Sequence, residues 1–446
     1  MYRDARGLPV TAANAGAAEA YDRTIESFLR FGRDITEHLQ AAIAADPGMV
    51  LARCLMGYLY HLRGFGPQVP SASAALAKAE AGAAGAAGAT MRERLHVAAL
   101  ASWCQGDLVA AADRWDAILI DHPRDLLALK LATYARFYEG GGPVFRDTVT
   151  RTLYSWDAQV PGYGYVLGTL AFALEENGDY AAAEQAGRQA IEFEPRDAWA
   201  THAVAHVYEM QERRREGIDW INGLEPHWSA GNNFRYHLWW HRALAHLAED
   251  DTRTVLDLYD QRLWDPTSDE YLDLCNDVAL LARLELCGID VGTRWQPLAE
   301  KIRSRTQEHI LAFIDLHYVL ALAAAGLGGE AAAMLDSLRV FAREGGGSNA
   351  AVTAKVGLPV CEALVAHRQG QYGRCVELLL PLRYAFIRLG GSHAQRDLLA
   401  MILLDAAIKA ERLPLARALL AERIALKPND PWTRRASAGV SKRLNV

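Results

Sequence analysis

Gly164–Pro195 reads GYVLGTLAFALEENGDYAAAEQAGRQAIEFEP. Two apolar stretches flank the turn Gly178-Asp179-Tyr180. With Gly164 as position 1, small or apolar residues fall at 4 (Leu167), 7 (Leu170), 8 (Ala171) and 11 (Leu174). They return at 20 (Ala183) and 27 (Ala190), and Pro195 closes the stretch at 32. Steps of three and four put these residues on one face of each of two helices. Small residues at 8 and 20 let the helices cross closely, Gly-Asp makes the turn, and proline ends the second helix. The stretch predicts an antiparallel helical hairpin.

The same ruler fits elsewhere. Gly106-Asp107, Ala111 and Pro123 place a unit from Arg92, and another starts at Leu126. Asp197-Ala198 opens the next. Ala416 and Pro428 place one from Asp397, and Gly370-Gln371-Tyr372 turns a unit that starts near Val356. Ala44–Pro47 ends a first helix pair, and Gly57 takes position 8 of a second. This is the spacing of the 34-residue tetratricopeptide pattern, in which stacked hairpins share one core. The expected fold is all-α: a single α-solenoid over 1–446, a right-handed superhelix of about ten to eleven hairpins. Residues 1–160 hold N-terminal repeats, 161–340 the histidine-rich central repeats and 350–446 the C-terminal repeats. Helix should exceed about 70% with no multi-strand sheet, since period-2 alternation is nearly missing. Longer connections are expected at Gly64–Pro70, Gly140–Pro143 and Glu344–Asn349, and a weak helix over Ala77–Thr90.

Composition bounds the function classes. The chain has 446 residues, 51% of them hydrophobic, and a net charge of −7. Nothing in that balance favours nucleic acid or an anionic membrane as partner. The basic run Arg213-Arg214-Arg215 reads as a solvated helix end. The six cysteines are scattered without a CxxC pair, as free thiols in a reducing compartment would be. The N-terminus lacks an apolar signal core, and no run of eighteen apolar residues occurs, so the expected location is the cytoplasm.

Asp197–His246 holds six of the fourteen histidines. His202/His206 and His237/His241 are spaced i, i+4, so each pair shares a helix face. A Gly/Pro/Asn-rich connection is expected between the two helices. In tetratricopeptide repeats, positions 2, 5, 9, 12 and 13 face the concave groove. The repeat likeness therefore implies Trp199, His202, His206 and Glu209 there. It adds Tyr165, Phe172, Glu175 and Glu176 from the preceding unit, Lys130, Tyr134 and Phe137 from the unit at Leu126, and Glu93 and His96 from the unit at Arg92. From Tyr236 it adds His237 and Trp240, with His241 on the rim.

Imidazoles titrate near neutrality, so such a cluster can move protons, hold a metal or hydrogen-bond a polar ligand. His202, His206, His237, His241 and Glu175 are the candidate catalytic groups, by acid–base chemistry with Glu175 or Glu176. A divalent metal is not assigned as a cofactor; if one binds, the same four histidines are its ligands. His202-Ala203 lacks the glutamate of the metalloprotease signature. The bland alternative is that the rings satisfy hydrogen bonds between helices.

Two further fragments join the candidate ligand-binding residues. In Phe313–His317, Asp315 and His317 are i, i+2 and cannot share a face. Ser392-His393-Ala394-Gln395 reads as a capping box, which leaves Arg396 and Asp397 for a salt bridge or a ligand.

DAWATHAVAHVYEM, NFRYHLWWHRAL, GIDVGTRWQ, FIDLH, VGLPVCEAL, LGGSHAQRD and LKPNDP belong to a set of pieces that runs in order from about Gly164 to Pro431, with weaker similarity over the N-terminal third, as in Arg92–Leu100. Together they resemble the family of tetratricopeptide repeat protein 38 and its bacterial relatives. The likeness implies an all-α repeat fold and an intracellular protein, and no particular activity. It also implies histidine at 202, 206, 237, 241 and 317, which fits one site.

Three functions stay open. The first is binding of a small polar molecule or peptide end in a groove lined by His, Trp and Glu. The second is an enzyme, such as a hydrolase using His/Glu or His-bound metal. The third is a peptide-binding scaffold. Self-association into a homo-oligomer is open as well.

Overall fold

The computed structural model describes residues 1–85 and 88–445. Helix makes up 74% of the chain. Among the described residues, strand is confined to Tyr2–Arg3 paired antiparallel with Pro9–Val10. The all-α expectation holds.

The stretch Gly164–Pro195 forms helices Tyr163–Glu175 and Tyr180–Phe193, with Ala171, Ala183 and Ala190 fully buried. Gly178 closes the first helix with φ +80°, and Asp179 N–H donates to Leu174 C=O at 3.0 Å. This left-handed cap satisfies the last carbonyls while turning the chain back.

The same bond recurs from Asp107 to Ser102, Arg213 to Tyr208, Asp251 to His246 and Ile289 to Leu284. It appears again from Leu327 to Leu322, Gln371 to Ala366 and Arg412 to Ala407. Its left-handed residues Gly178, Glu212, Asp250, Gly288 and Gly326 follow one another at steps of 34, 38, 38 and 38 residues. A left-handed helix cap thus recurs along the chain, and past Glu212 its spacing is longer than the 34-residue ruler.

Contacts gather the chain into two units. The first is Met1–Val204, Leu224–Arg235 and Gly346–Asn349; the second is Ala205–Gly223, Tyr236–Gly345 and Ala350–Val446. In the first, helix Val50–Leu62 crosses helix Met91–Cys104 at Gly57. A methyl group there would come within 2.5 Å of Leu100 Cδ2. Arg92, Asp125 and His96 form a buried network beneath Tyr58, whose hydroxyl donates to His96 C=O.

In the second unit, helix Tyr271–Leu286 packs on Ala312–Ala324 and on His393–Lys409, and Leu358–Arg368 packs on both of those. Helix Tyr271–Leu286 is buried around almost its whole circumference. Asp273, Asn276, Asp277 and Arg283 are buried along with its leucines.

Several local expectations change. The connection between the two histidine helices is itself helical, Arg214–Trp228, with Pro226 inside it. Pro226 lies in the last turn and gives up the N–H that would bond Asn222 C=O, and the helix ends two residues later at Trp228. Gly64–Pro70 contains a short turn of helix, Gly66–Gln68, that runs into helix Val69–Ala83. Gly142 opens helix Gly142–Thr150 with Pro143 in its first turn, where a missing N–H costs nothing. The chain is helical again from Gly347. Helix Val69–Ala83 covers the first part of Ala77–Thr90; Ala86 and Ala87 in that tract lie outside the described residues.

Arg213 and Arg214 pair with Glu216 and Glu212, and Arg215 is mostly exposed. All six cysteines are free thiols. Gly347–Arg368 has the length and composition of a membrane span, yet 61% of its apolar window is buried, as in a core helix.

Candidate functional site

His206 and Glu209 stand on helix Ala198–Met210, and His237, Trp240 and His241 on helix Phe234–Ala248. The i, i+4 step stacks His237 and His241 on one face, and Glu209 lies one turn beyond His206. In the second unit these faces meet. The His206 and His241 rings lie 4.4 Å apart, and His237 and His241 4.7 Å apart, centroid to centroid. The Nε2 atoms of His237 and His241 are 3.3 Å from each other. At the far side of each ring, His241 Nδ1 is 3.0 Å from Glu209 Oε2 and His237 Nδ1 is 3.0 Å from Asn276 Oδ1.

Electrostatics fixes the protonation of this set. Burial pushes His241 down to about 4, helped by the charge of His206 and resisted by Glu209. Burial would push Glu209 up, but its hydrogen bond and charge interaction with His241, together with Lys427, hold it at about 2. Burial of the pair dominates: at neutral pH His241 is neutral and Glu209 is a carboxylate, so Nδ1–H donates to Oε2. Burial pushes His237 well down, so it too is neutral.

Glu209 and His241 line a cleft of about 90 Å³ in the second unit, with Arg283, Asp397, Lys427 and Trp432. A water needs roughly 10–15 Å³ of such space, so the cleft holds several waters or a small molecule. Asp397 pairs with Arg423 and lies 3.6 Å from Lys427 Nζ. The indole of Trp432 donates to Leu286 C=O at 2.9 Å.

Arg283 differs from the other cations. It is 3% exposed and donates only to the carbonyls of Ala279 and Ala394. Its guanidinium carbon lies 5.5 Å from the Trp240 ring centre. Among the described residues no carboxylate comes within 4.0 Å of it. Cys287, also on the wall, is pushed up to about 11 by burial and is therefore a thiol at neutral pH, not a nucleophile.

Trp240 is fully buried and stacks on His237 at 5.3 Å with the rings 12° apart. The pair Asp315 and His317 separates as the i, i+2 spacing requires. Asp315 turns to His309 Nδ1 at 3.0 Å. His317 Nδ1 donates to Phe313 C=O at 2.7 Å. His317 and Arg396 share a smaller cleft of about 10 Å³, and Arg396 bonds Gly391 C=O. Ser392 caps helix His393–Lys409 with Gln395 reaching back.

The first unit holds the other candidates. His202 packs on Phe172, Trp199 and Phe234, at 5.1, 5.2 and 5.4 Å between ring centres. Lys130 Nζ sits 3.9 Å above the Trp199 ring. Tyr165 donates to Glu26 Oε1 at 2.8 Å, and Tyr134 packs on Trp103 and Tyr138. Glu175 and Glu176 are buried, and after burial itself their charges raise the Tyr180 hydroxyl.

The sequence reading did not single out Arg283, Asn276 or Lys427. A signal for the first two was present: Asn276 and Arg283 interrupt the apolar run of YLDLCNDVALLARLEL, where charged and amide groups are rarely buried without purpose. Lys427 had none beyond its place in LKPNDP. No protein-family model matches the sequence.

Proposed function

We propose that the chain is a helical-hairpin repeat protein of the tetratricopeptide type, akin to tetratricopeptide repeat protein 38. Its function is to bind a small anionic molecule in the cleft of the second unit. The recurring hairpins and their capped turns support the repeat assignment, and six free thiols fit a reducing compartment. The observation that carries the ligand assignment is Arg283, a buried guanidinium on the cleft wall with no carboxylate within ion-pair distance; Asp397 and Glu209 act on it only from farther away. A buried charge without a direct ion pair is costly, and an anion entering beside it supplies one. Arg283 and Lys427 fit a carboxylate or phosphate, while Tyr208 and Trp432 give apolar wall. The cleft is too small for a folded peptide segment, which favours a metabolite-sized ligand over a scaffold's partner.

The test is thermal denaturation with inorganic phosphate, short mono- and dicarboxylates, and their uncharged amides. At least one anion should raise the midpoint in a saturable way while its amide does not. A panel in which no anion stabilises the protein rejects the assignment.

A second reading, catalysis, is favoured by the Glu209–His241 pair, since a carboxylate-oriented imidazole is a general base in form. It requires that the bound anion be consumed, and that Glu209→Gln abolish consumption while leaving binding intact.

A further inference from the structure

We infer that His206, His237 and His241 form a three-imidazole site for a divalent transition-metal ion, best matched to zinc. This goes beyond the anion-binding reading and does not depend on it.

Each of the three rings offers a nitrogen, and these nitrogens lie within 4.8 Å of one another. Zinc bonds imidazole nitrogen at about 2.0–2.1 Å in a tetrahedral array, which sets two such ligands about 3.3–3.4 Å apart. His237 Nε2 and His241 Nε2 are already 3.3 Å apart. Only the His206 ring has to close in, and it sits 4.4 Å from His241 between ring centres.

The surroundings of the rings point the same way. A metal-bound imidazole commonly gives its other N–H to a carboxylate or carbonyl, which orients the ring and makes it a stronger base. His241 gives Nδ1–H to the Glu209 carboxylate, and His237 gives Nδ1–H to the Asn276 amide oxygen. With both Nδ1 atoms protonated, both Nε2 atoms present lone pairs to each other at 3.3 Å. Two lone pairs at that distance repel, and a cation between them turns the repulsion into two bonds. The Glu209 carboxyl beside His241 also places an acidic group next to the site.

Imidazole ligands suit zinc, copper, iron and nickel; calcium and magnesium prefer oxygen. His241 lines the cleft, which provides the path for the ion.

The experiment uses the full-length protein, stripped by a chelator and dialysed, then titrated with Zn²⁺ against a chromogenic chelator. A parallel titration with Co²⁺ reads the visible absorption of a four-coordinate nitrogen site. The expected result is one ion per chain and a tetrahedral-type Co²⁺ spectrum. His237→Ala and His241→Ala should each weaken zinc at least about 100-fold, and Asn276→Ala about 10–100-fold. The exposed His227→Ala should bind as the parent does. Far-ultraviolet circular dichroism reports whether each variant stays folded.

Because the Co²⁺ spectrum is read on the parent protein, a variant that fails to fold does not remove the test. A parent that takes up neither ion overturns the inference. The Asn276 amide is then turned, and a proton joins the two Nε2 atoms. Folded His237→Ala and His241→Ala proteins that bind zinc as tightly as His227→Ala also overturn it. Zinc uptake is read by chelator competition, so a failed anion panel and a failed metal titration are separate outcomes.

Discussion

Asp397 and Arg423 form a two-pronged ion pair in the cleft wall, with Oδ1 2.5 Å from Nη1 and Oδ2 3.0 Å from Nη2. The pair ties helix His393–Lys409 to helix Leu413–Leu426. Burial pushes the Asp397 carboxyl up, but Arg423 and Lys427 more than reverse this and hold it well below the usual carboxylate range. A carboxyl lowered in the folded state stabilises above its unfolded pKa of about 3.9, and the contribution fades as pH falls below that value. Asp397→Asn should therefore cost about 3 kcal/mol near pH 7, because it leaves Arg423 with only the longer ion pair to Asp430 at 3.6 Å. In urea unfolding, the gap between parent and variant should narrow steadily as the pH drops below about 4. A gap independent of pH would mean that packing, not charge, holds this wall.

Asp277 has the opposite sign. It is 2% exposed, and burial first, then the charges of Asp273 and Asp265, push its carboxyl well above the ordinary range. A carboxyl raised in the folded state stabilises fully below its unfolded pKa of about 3.9, and that stability is lost as pH rises through the folded value. Asp277→Asn removes the ionisation. The variant should melt a few degrees above the parent at about pH 7.5 and together with it at about pH 4. Melting curves across that range decide it; a variant that melts lower at every pH would place Asp277 as an ionised partner in the core.

Glycine substitutions should change sign with their surroundings. At Gly57 a new methyl meets Leu100 Cδ2 at 2.5 Å and Cδ1 at 2.8 Å, and Leu100 is fully buried. Gly57→Ala should cost about 1–3 kcal/mol by overpacking. At Gly223, exposed within helix Arg214–Trp228, nothing lies within 4 Å of the new methyl. Gly223→Ala should gain about 0.5–1 kcal/mol from helix propensity alone. Denaturant midpoints measure both; equal effects would mean that the Gly57 crossing is loose.

What could be read in the sequence was local. The Gly178-Asp179 turn, the small residues Ala171 and Ala183, and the Ser392–Gln395 capping box follow from spacing over a few residues. The i, i+4 histidine pairs likewise announced two helix faces. Pro226 misled because proline usually breaks helices, yet here the helix runs through it and ends two residues later. The cleft was harder to read because its partners are far apart in sequence. Asn276 is 39 residues from His237, and Arg423 is 26 from Asp397. Arg283 meets Trp240 only once helix Tyr271–Leu286 is packed. Its one trace was a charge in an apolar run, which says that something is buried without saying what faces it.

The measurement that bears most directly on the cleft is the melting midpoint of Arg283→Met with and without the anion that best stabilises the parent. Methionine keeps an unbranched, space-filling side chain and removes the buried charge. If Arg283 is there for a ligand, the ligand-free variant melts at or above the parent, because a buried cation with no close ion pair has been replaced by an apolar group. The anion-induced shift should also disappear, a loss of about 2.7 kcal/mol at an anion concentration of 100 Kd. A variant that melts several degrees lower, or that keeps the full anion shift, would contradict the account and make Arg283 a structural residue.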